Sequence, residues 1–571
     1  MARPCGSAMR EGWGAAVIDK AAPASSPLGA METLSPAKAA AAALTRRAFV
    51  KRVGLGAGAL FALAHPSRPL WAHEVSHLPR STPEEQGVSS EAILAFLAAI
   101  GQSKMELHSF MMARHGHVVA EGWWAPYSAE YNHGLYSMSK SFTSTAVGFA
   151  VTERRLSVED RVASFFPKDL PETISENLAA LRVKHLLTMS VGQAPEATGE
   201  MQKQENWVKV FLAAPLVHEP GSVFLYNSGA TYMLSAIVQA VTGQTVLEYL
   251  TPRLFQPLGV EGATWETCPR GINTGGWGLS VQTETLAKFG QLYLQKGVWE
   301  GRQIIPAAWV EEATTFKIQQ PSPATPSRPA EKNDWLQGYC YQFWRCTHGN
   351  FRGDGAYGQF TIVLPEHDAV ICLTSENSNL QGELDLVWEN LLPAFKPEAL
   401  PANVDGQARL QQTLGALAVV VPQGEGVSPT GDRVAGKTFQ FEHNDLGLES
   451  VTFFFQNGVC SAIFRDGQTA YPIECGFDRW EHGATAIPKT PPRLVTGGSA
   501  KPGTAAKIVA RSAWKDPNTL TMVWRYYETP HHDTVTCRFE GNEVKVAFMN
   551  SIAAMSARPQ DKRPELRGQV V

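Results

Sequence analysis

Hydrophobic residues change their spacing several times along the chain, and each change predicts a different element. An amphipathic helix is predicted over 81–100, where Pro83 occupies the first turn, a position typical of helix starts. Apolar stretches at 109–114 and 118–124 flank a polar His-Gly-His turn, which predicts a β-hairpin. Helical spacing then returns in a series of stretches, at 137–151, 180–190, 205–214, 229–242 and 282–296.

Strand patterns come back late in the first two thirds of the chain. They lie at 338–345, 359–364 and 369–374, and a helix is predicted at 382–394. An early hairpin and late strands on either side of a helical middle predict one antiparallel sheet built from both ends of a domain. We therefore expect an α+β domain over 75–397, in which helices flank the sheet and a helical subdomain is inserted.

The last part of the chain predicts a second domain. Residues 398–430 contain several Pro, Gly and Gln residues, a composition typical of a linker. Beyond it, runs rich in Phe, Val, Tyr and Trp alternate with Gly, Asn and Asp turns, as at 450–455 and 520–527. We expect an antiparallel all-β domain over 431–560, shaped as a small barrel or sandwich.

The beginning of the chain is typical of a targeting segment. The sequence Thr-Arg-Arg-Ala-Phe-Val-Lys at 45–51 resembles a twin-arginine export signal, and a short apolar stretch follows at 53–64. The alternative is a disordered basic extension. We expect residues 1–72 to be a leader that sends the folded protein to the periplasm or out of the cell.

Composition excludes several classes of partner. Hydrophobic residues make up 44% and charged residues 18% of the 571 positions, as in soluble globular proteins. A net charge of −4 gives no footprint for nucleic acid. No apolar run reaches the roughly 18 residues of a stable membrane span. The eight cysteines form no C-x-x-C pair, so we predict buried free thiols, no metal and no cofactor.

The most informative local motif is S-x-x-K, which runs from Ser137 to Lys140 at the start of a predicted helix. A serine in a first helical turn lies near free backbone N–H groups. A lysine three residues later shares its helical face and, if buried, can lose its proton and accept one from the serine. The motif also begins at Ser35 and Ser512, but only Ser137 begins a plausible long helix. The alternative for Ser137 is an ordinary helix N-cap.

Two further segments could complete a nucleophilic site. Tyr226 lies on a short loop before an apolar helix, where its hydroxyl could shuttle a proton. A buried structural tyrosine is the alternative. The glycine-bearing segment 354–360 leads into a strand and could bring a backbone N–H close to that of Ser137, as in an oxyanion hole. A simple hairpin turn is the alternative.

The order of these segments, followed by a downstream Leu-Pro-Glu, resembles the serine β-lactamase and penicillin-binding protein superfamily over about 78–395. The nearest branch holds class C β-lactamases, class VIII-type esterases, D-aminopeptidases and 6-aminohexanoate-dimer hydrolases. The segments 183–189, 275–279 and 289–293 also fit. Lipocalin-like tails occur in this superfamily, so the resemblance favours a lipocalin-like all-β domain that shapes substrate access. Binding of a polymer and a role in assembly are the alternatives.

The resemblance also implies roles for individual residues. Ser137 would be the nucleophile, Lys140 its base and Tyr226 a second proton shuttle. The backbone N–H groups of Ser137 and Ala356 would form the oxyanion hole. Further residues would contact or line the substrate pocket, namely Ser228, Trp277, Gly355, Tyr357, Gly358 and Met189.

Two departures from the family pattern argue against an efficient β-lactamase. Ser228 stands where the Tyr-x-Asn motif has asparagine, and the Lys-Thr-Gly or His-x-Gly signature is absent. Arg352 or His348 could replace the missing cation, but surface positions are the alternative for both. The sequence thus favours an exported serine hydrolase of a small-molecule or peptide-like ester or amide.

Two other functions stay open at this point. One is a penicillin-binding D-amino-acid peptidase or β-lactamase, and the other is a non-catalytic binding or sensor domain. The adjacent His531 and His532 raise the question of a metal, but neighbouring residues of a strand point to opposite faces. We expect a surface loop there, and the sequence predicts no oligomeric state.

Overall fold

A computed structural model of the protein describes residues 77–323, 327–490 and 505–571, which belong to one compact unit. The predicted export leader lies outside these residues. None of the helices among them is long and apolar enough to cross a membrane. One sheet of six strands and one of ten strands organise the unit.

The six-stranded sheet joins the early hairpin to the late strands, as the sequence predicts. It is antiparallel throughout. Its order is His117–Trp123, Leu107–Arg114, Ala369–Ser375, Gln359–Leu364, Phe351–Gly355 and Trp344–Arg345. The strand predicted at 338–345 is shorter than expected because Gln342 adopts a φ of 65°, a left-handed conformation that turns the chain.

Two hydrophobic cores lie against this sheet because successive side chains of a strand point to opposite faces. On the strand Leu107–Arg114, Met111 lies in the core that the helix Ser139–Thr152 joins. Met112 lies in the core that the helix Ser90–Gln102 joins.

The helical middle is present, in more pieces than the periodicity predicts. Its α-helices after Ser139–Thr152 are Glu176–Ala180, Val183–Leu187, Thr198–Met201, Trp207–Ala213, Ser228–Thr242, Val246–Leu250, Thr283–Leu294 and Ala307–Thr314. A last helix of this region, Leu380–Leu386, continues into a π-helical turn, Val387–Leu391. Several of the loops between the pieces contain Gly or Pro, as at 188–197, 214–227 and 243–245, and these residues end helices.

Part of the segment expected to be a linker is a helix, Val404–Gly415. Asn403 caps it by accepting a hydrogen bond from the backbone N–H of Gly406. Leu410 and Leu414 lie on one helical face and are buried in the core that also holds the Ser90–Gln102 helix. The Pro, Gly and Gln residues of 398–430 predicted a linker, and the two leucines alone did not indicate a helix. A second helix, Pro429–Val434, follows before the ten-stranded sheet.

The C-terminal strands form a closed barrel. They are Thr438–Phe441, Ser450–Gln456, Val459–Arg465, Ala470–Gly476, Glu481–Thr485, Ala506–Asp516, Thr519–Arg525, His532–Glu540, Glu543–Asn550 and Leu566–Val570. The last strand lies beyond the expected limit at 560 and pairs on both sides, with the first strand and with Glu543–Asn550. Pairing of Gly476 with Arg511 closes the sheet on itself.

The barrel has its own aromatic interior. Phe439, Phe453 and Phe539 pack together, and Trp524 packs against Phe548. The prediction of buried free thiols is confirmed for the described cysteines. They are Cys268, Cys340, Cys346, Cys372, Cys460, Cys475 and Cys537.

Candidate active site

Ser137 lies in a 3-10 turn, Tyr136–Met138, and the helix predicted to start there begins two residues later at Ser139. Tyr136 has a φ of 48°, a left-handed conformation that residues other than glycine rarely adopt. Ser139 fixes the start of the helix, because its Oγ accepts a hydrogen bond from the backbone N–H of Leu279 at 3.1 Å. Ser137 is partly exposed, whereas Lys140 is buried.

Lys140 is held by three oxygen atoms. Its Nζ lies 2.9 Å from Ser137 Oγ, 3.0 Å from Ser228 Oγ and 2.7 Å from the backbone carbonyl of Gly276. The carbonyl can only accept, so one N–H of Lys140 points at Gly276 in either protonation state. The two hydroxyls can donate as well as accept, so they can pass a proton to a neutral amine.

The amine of Lys140 titrates far below its usual range. Burial lowers its pKa to about 7, although the negative charges of Glu196 and Asp354 oppose that shift. A substantial share of the molecules therefore carries a neutral Lys140 at neutral pH. A neutral amine 2.9 Å from a serine hydroxyl can act as its general base.

Tyr226 lies on the loop that enters the helix Ser228–Thr242. Its aromatic ring stacks on Trp344 with centroids 5.5 Å apart, and Lys140 Nζ lies 4.8 Å from the ring centroid. Burial raises the pKa of Tyr226, and the influence of the nearby Ser137 hydroxyl offsets this only in part. Tyr226 therefore keeps its proton at neutral pH.

Met189 does not line an open pocket, contrary to the sequence-based expectation, because it is fully buried. It instead holds the loop that carries Tyr226 through two hydrogen bonds. Its carbonyl accepts from Leu225 N–H at 2.9 Å, and its Sδ accepts from Asn227 N–H at 3.3 Å. Asn227 in turn caps the next helix by accepting from Ala230 N–H.

Trp277 is also buried, with 6% of its surface exposed. Its carbonyl accepts from the indole of Trp265 at 2.8 Å. This fixes the segment that presents the Gly276 carbonyl to Lys140. Trp277 and Met189 thus shape the site through the backbone beside them.

The glycine-bearing strand Phe351–Gly355 lies directly against the turn that carries Ser137. A Cβ on Gly355 would be 2.2 Å from the carbonyl oxygen of Leu135. A Cβ on Gly353 would be 3.1 Å from Met138 Cγ. Only glycine allows this approach of backbone to backbone.

The turn after this strand is fastened to its neighbours. The carbonyl of Ala356 accepts from Gln359 Nε2 at 3.1 Å, and the carbonyl of Tyr357 accepts from Asn377 N–H at 3.0 Å. Gly358, with a φ of 91°, has no room for a Cβ, which would lie 2.0 Å from Ser375 Oγ. Ala356 and Tyr357 are partly exposed, like Ser137.

Arg352 is not a surface cation. It is fully buried, forms a 2.8 Å ion pair with Asp354, and lies over the ring of Trp335 at 4.5 Å. Its charge is therefore already compensated inside the protein. His348 is exposed, as the surface alternative predicts.

A family model described as Beta-lactamase matches residues 101–392, just over half of the chain. The chain belongs to the beta-lactamase family. The resemblance inferred from the motifs is thereby confirmed.

This beta-lactamase-family protein has relatives of several kinds. It is 26% identical over 326 residues to 6-aminohexanoate-dimer hydrolase of Paenarthrobacter ureafaciens, covering 52% of this chain and 80% of that protein. It is 23% identical over 313 residues to Penicillin-binding protein 4 of Amycolatopsis lactamdurans, covering 47% of this chain and 81% of that protein. The structure of a penicillin-binding protein homologue from Caulobacter crescentus aligns at 15% identity and a TM-score of 0.45, over 55% of this chain and all of that one.

A second group of residues in this beta-lactamase-family protein has no signal in the sequence patterns. His531 is buried, and its Nε2 lies 2.5 Å from the hydroxyl of Tyr136. Its Nδ1 lies 2.6 Å from one oxygen of Glu376, and His532 Nδ1 lies 2.8 Å from the other. The expected surface loop is wrong for His531. It precedes the strand His532–Glu540, so strand alternation does not separate the two rings.

The described residues contain one group that could hold a metal ion, formed by Glu106, His108 and Glu376. Its donors are already engaged. Arg525 binds both oxygens of Glu106, at 2.7 and 2.9 Å, and His531 and its neighbour occupy both oxygens of Glu376. A guanidinium thus already supplies the positive charge, and the donor set does not favour a metal.

Proposed function

We propose that this protein is a serine hydrolase that cleaves an ester or amide bond through a covalent acyl-serine intermediate. The observation that carries the proposal is the contact of Ser137 Oγ with the buried amine of Lys140, at 2.9 Å. With a pKa of about 7, that amine is available as a base at neutral pH. A non-catalytic binding domain has no need for such a pair, so the geometry favours an enzyme.

In the first step, Lys140 accepts the proton of Ser137 Oγ as this atom attacks the substrate carbonyl. The negative charge that develops on the carbonyl oxygen is stabilised by the backbone N–H groups of Ser137 and Ala356. The close approach of Gly355 to the carbonyl of Leu135 supports this assignment, because it brings the two backbone segments together.

In the second step, the leaving group needs a proton. The Tyr226 hydroxyl is close enough to that of Ser137 to influence it electrostatically and is protonated at neutral pH, so it can donate one. Tyr226 is left as a phenolate, and Lys140 then gives it the proton taken from Ser137, with the hydroxyl of Ser228, 3.0 Å from Nζ, as the relay. Water attacks the acyl-serine by the same groups in reverse. Ser228, Tyr357 and the glycines at 355 and 358 would border the bound substrate.

The substrate class follows from the charges near Ser137. The buried ion pair of Arg352 with Asp354 leaves this arginine unable to meet the carboxylate of a β-lactam. We therefore favour an ester or amide without a carboxylate near the scissile bond. A D-amino-acid peptidase or β-lactamase is the second candidate.

We also propose that the protein is exported to the periplasm or secreted. The support is the Arg46-Arg47 pair and the apolar stretch that follows it. Replacement of both arginines by lysine is expected to retain the protein in the cytoplasm, as fractionation would show. An unchanged distribution of that variant would contradict export by this signal.

The activity is tested by hydrolysis of a short-chain p-nitrophenyl ester and of a chromogenic cephalosporin. Ester turnover that disappears in Ser137→Ala, with little cephalosporin turnover, is the expected result. Ser512→Ala is the matched control, because Ser512 begins the same motif on a barrel strand and donates to a backbone carbonyl there. Dominant cephalosporin turnover would favour the β-lactamase candidate. No Ser137-dependent turnover of either substrate would contradict the esterase proposal.

A further inference from the structure

We propose that His531, supplied by the barrel, is a positioning residue for Ser137, so that the barrel completes the active site. The inference rests on the proposed serine hydrolase function. It concerns a contact between two segments far apart in the chain, since 395 positions separate Tyr136 from His531.

The hydrogen-bond pattern fixes the tautomer of His531. The carboxylate of Glu376 can only accept, so the Nδ1 atoms of His531 and His532 that touch it carry hydrogen. In its neutral form, His531 then has a lone pair on Nε2 and accepts the hydroxyl proton of Tyr136. In this form the Tyr136 hydroxyl donates to His531 and His531 donates to Glu376. This series of hydrogen bonds begins one residue before Ser137.

Tyr136 needs such a support because of its backbone. Its φ of 48° is a conformation that a bulky residue adopts only when its surroundings impose it. The hydroxyl is held by His531, and the ring meets the edge of Tyr357 at a centroid distance of 5.2 Å. Since Ser137 follows directly, the orientation of the Tyr136 peptide sets the direction of the Ser137 N–H and of its side chain.

His531 also touches the other half of the proposed oxyanion hole. Its ring packs edge-on against Tyr357 at 4.7 Å and against Tyr136 at 5.7 Å. Tyr357 follows Ala356, and Tyr136 precedes Ser137. One imidazole therefore contacts side chains of both segments that supply the proposed N–H donors, and it can help to set the distance between them.

The barrel holds His531 rigidly. The backbone N–H of Tyr526 donates to the carbonyl of His531, which closes the turn between two barrel strands. Arg525, the residue before Tyr526, is buried and binds both oxygens of Glu106. Glu106 belongs to the catalytic domain, the part of the chain before the barrel that carries Ser137. This ion pair fixes the turn against the domain that carries Ser137.

The test compares variants of His531 and His532 in the full-length protein. Both histidines bind Glu376, but it is His531 that also contacts Tyr136. An asparagine at 531 can replace the Nδ1 donor and cannot reach Tyr136, whereas a glutamine can reach the Nε2 position. His532→Asn is the matched control. The readouts are kcat and KM for a p-nitrophenyl ester and the rate at which a fluorophosphonate labels Ser137.

We expect His531→Asn to lower kcat and the labelling rate by about 10- to 100-fold, with KM changed less than about threefold. His531→Gln should recover much of that loss, and His532→Asn should stay within about threefold of wild type. Tyr136→Phe cuts the same hydrogen bond from the other side, so its loss should not add to that of His531→Asn.

Three results would overturn the inference. Equal losses in His531→Asn and His532→Asn would show that the pair only docks the barrel. Wild-type rates in both His531→Asn and Tyr136→Phe would show that this series of hydrogen bonds has no effect on Ser137. Absence of any Ser137-dependent labelling in wild type would overturn the hydrolase proposal itself, and this inference with it.

Discussion

The Nζ of Lys140 lies 2.7 Å from the carbonyl oxygen of Gly276, an atom that can accept a hydrogen but never donate one. This contact orients the amine. One N–H always points to Gly276, so the lone pair and the remaining N–H of the neutral amine are left to face the hydroxyls of Ser137 and Ser228. Burial supplies the neutral form, because it lowers the pKa of Lys140 to about 7.

Ester hydrolysis should therefore depend on pH in one direction. The protonated ammonium cannot accept a proton, so kcat/KM should fall about tenfold per pH unit below about 7 and level off above it. Lys140→Arg stays charged at every accessible pH and should lose at least about 100-fold of the rate. The pH–rate profile of both proteins checks this. A flat profile for wild type between pH 5 and 9 would rule out Lys140 as the base.

Gly355→Ala should disable the site. The added Cβ would lie 2.2 Å from the carbonyl oxygen of Leu135, so the backbone on one side must move. A shift of about 1 Å at Ser137 can cost on the order of 100-fold in kcat. Gly101→Ala is the control, because nothing lies within 4 Å of its Cβ and the residue is helical. The control should raise the free energy of unfolding by up to about 1 kcal/mol and keep full activity. A fully active Gly355→Ala would show that the close approach of Gly355 to Leu135 is not needed.

The sequence predicts those parts of the site whose geometry depends on residues close together in the chain. Ser137 and Lys140 are three residues apart on one helical turn, so their 2.9 Å contact follows from helix geometry. Met189 is different, because only the packing of the tyrosine loop buries it. His531 could not be predicted, since its contact with Tyr136 requires the barrel to dock on the catalytic domain.

The same distinction applies to the fold. Alternation and turn residues predicted the hairpin and the late strands, because each pattern is local. The helix Val404–Gly415 was missed because its stability comes from burying Leu410 and Leu414 against other elements and its own composition is polar. The pairing of Gly476 with Arg511, which closes the barrel, likewise has no local signal.

Arg525→Met should weaken the attachment of the barrel to the catalytic domain. The variant leaves the carboxylate of Glu106 without its bidentate partner in a largely buried place, and breaking such pairs costs about 3 kcal/mol. Arg538→Met, at an exposed barrel position, should change stability by less than about 0.5 kcal/mol. Urea unfolding measures both free energies. Equal, small losses would show that the ion pair contributes nothing to the folded state.

Glu383→Gln should stabilise the protein at alkaline pH. Burial raises the pKa of Glu383 to about 8, although Asn377 and Ser375 donate hydrogen bonds that oppose the shift. The folded state thus holds a proton that the unfolded state releases near pH 4.5, so wild type loses stability as pH rises from about 4.5 to about 8. Glutamine does not titrate. The free energy of unfolding of the variant, relative to that of wild type, should rise over this interval by on the order of 2–4 kcal/mol. Urea unfolding at pH 5 and pH 8 measures this difference. A difference that does not change with pH would refute a buried, neutral Glu383.

The acyl-enzyme on Ser137 is the central claim, and intact-protein mass spectrometry tests it most directly. Wild type and Ser137→Ala are mixed with p-nitrophenyl acetate at pH 8, quenched with acid within seconds, and weighed. We predict one added acetyl group on wild type, located on Ser137 by peptide mapping, and none on the variant. An acetyl group on another residue, or equal acetylation of Ser137→Ala, would contradict the account.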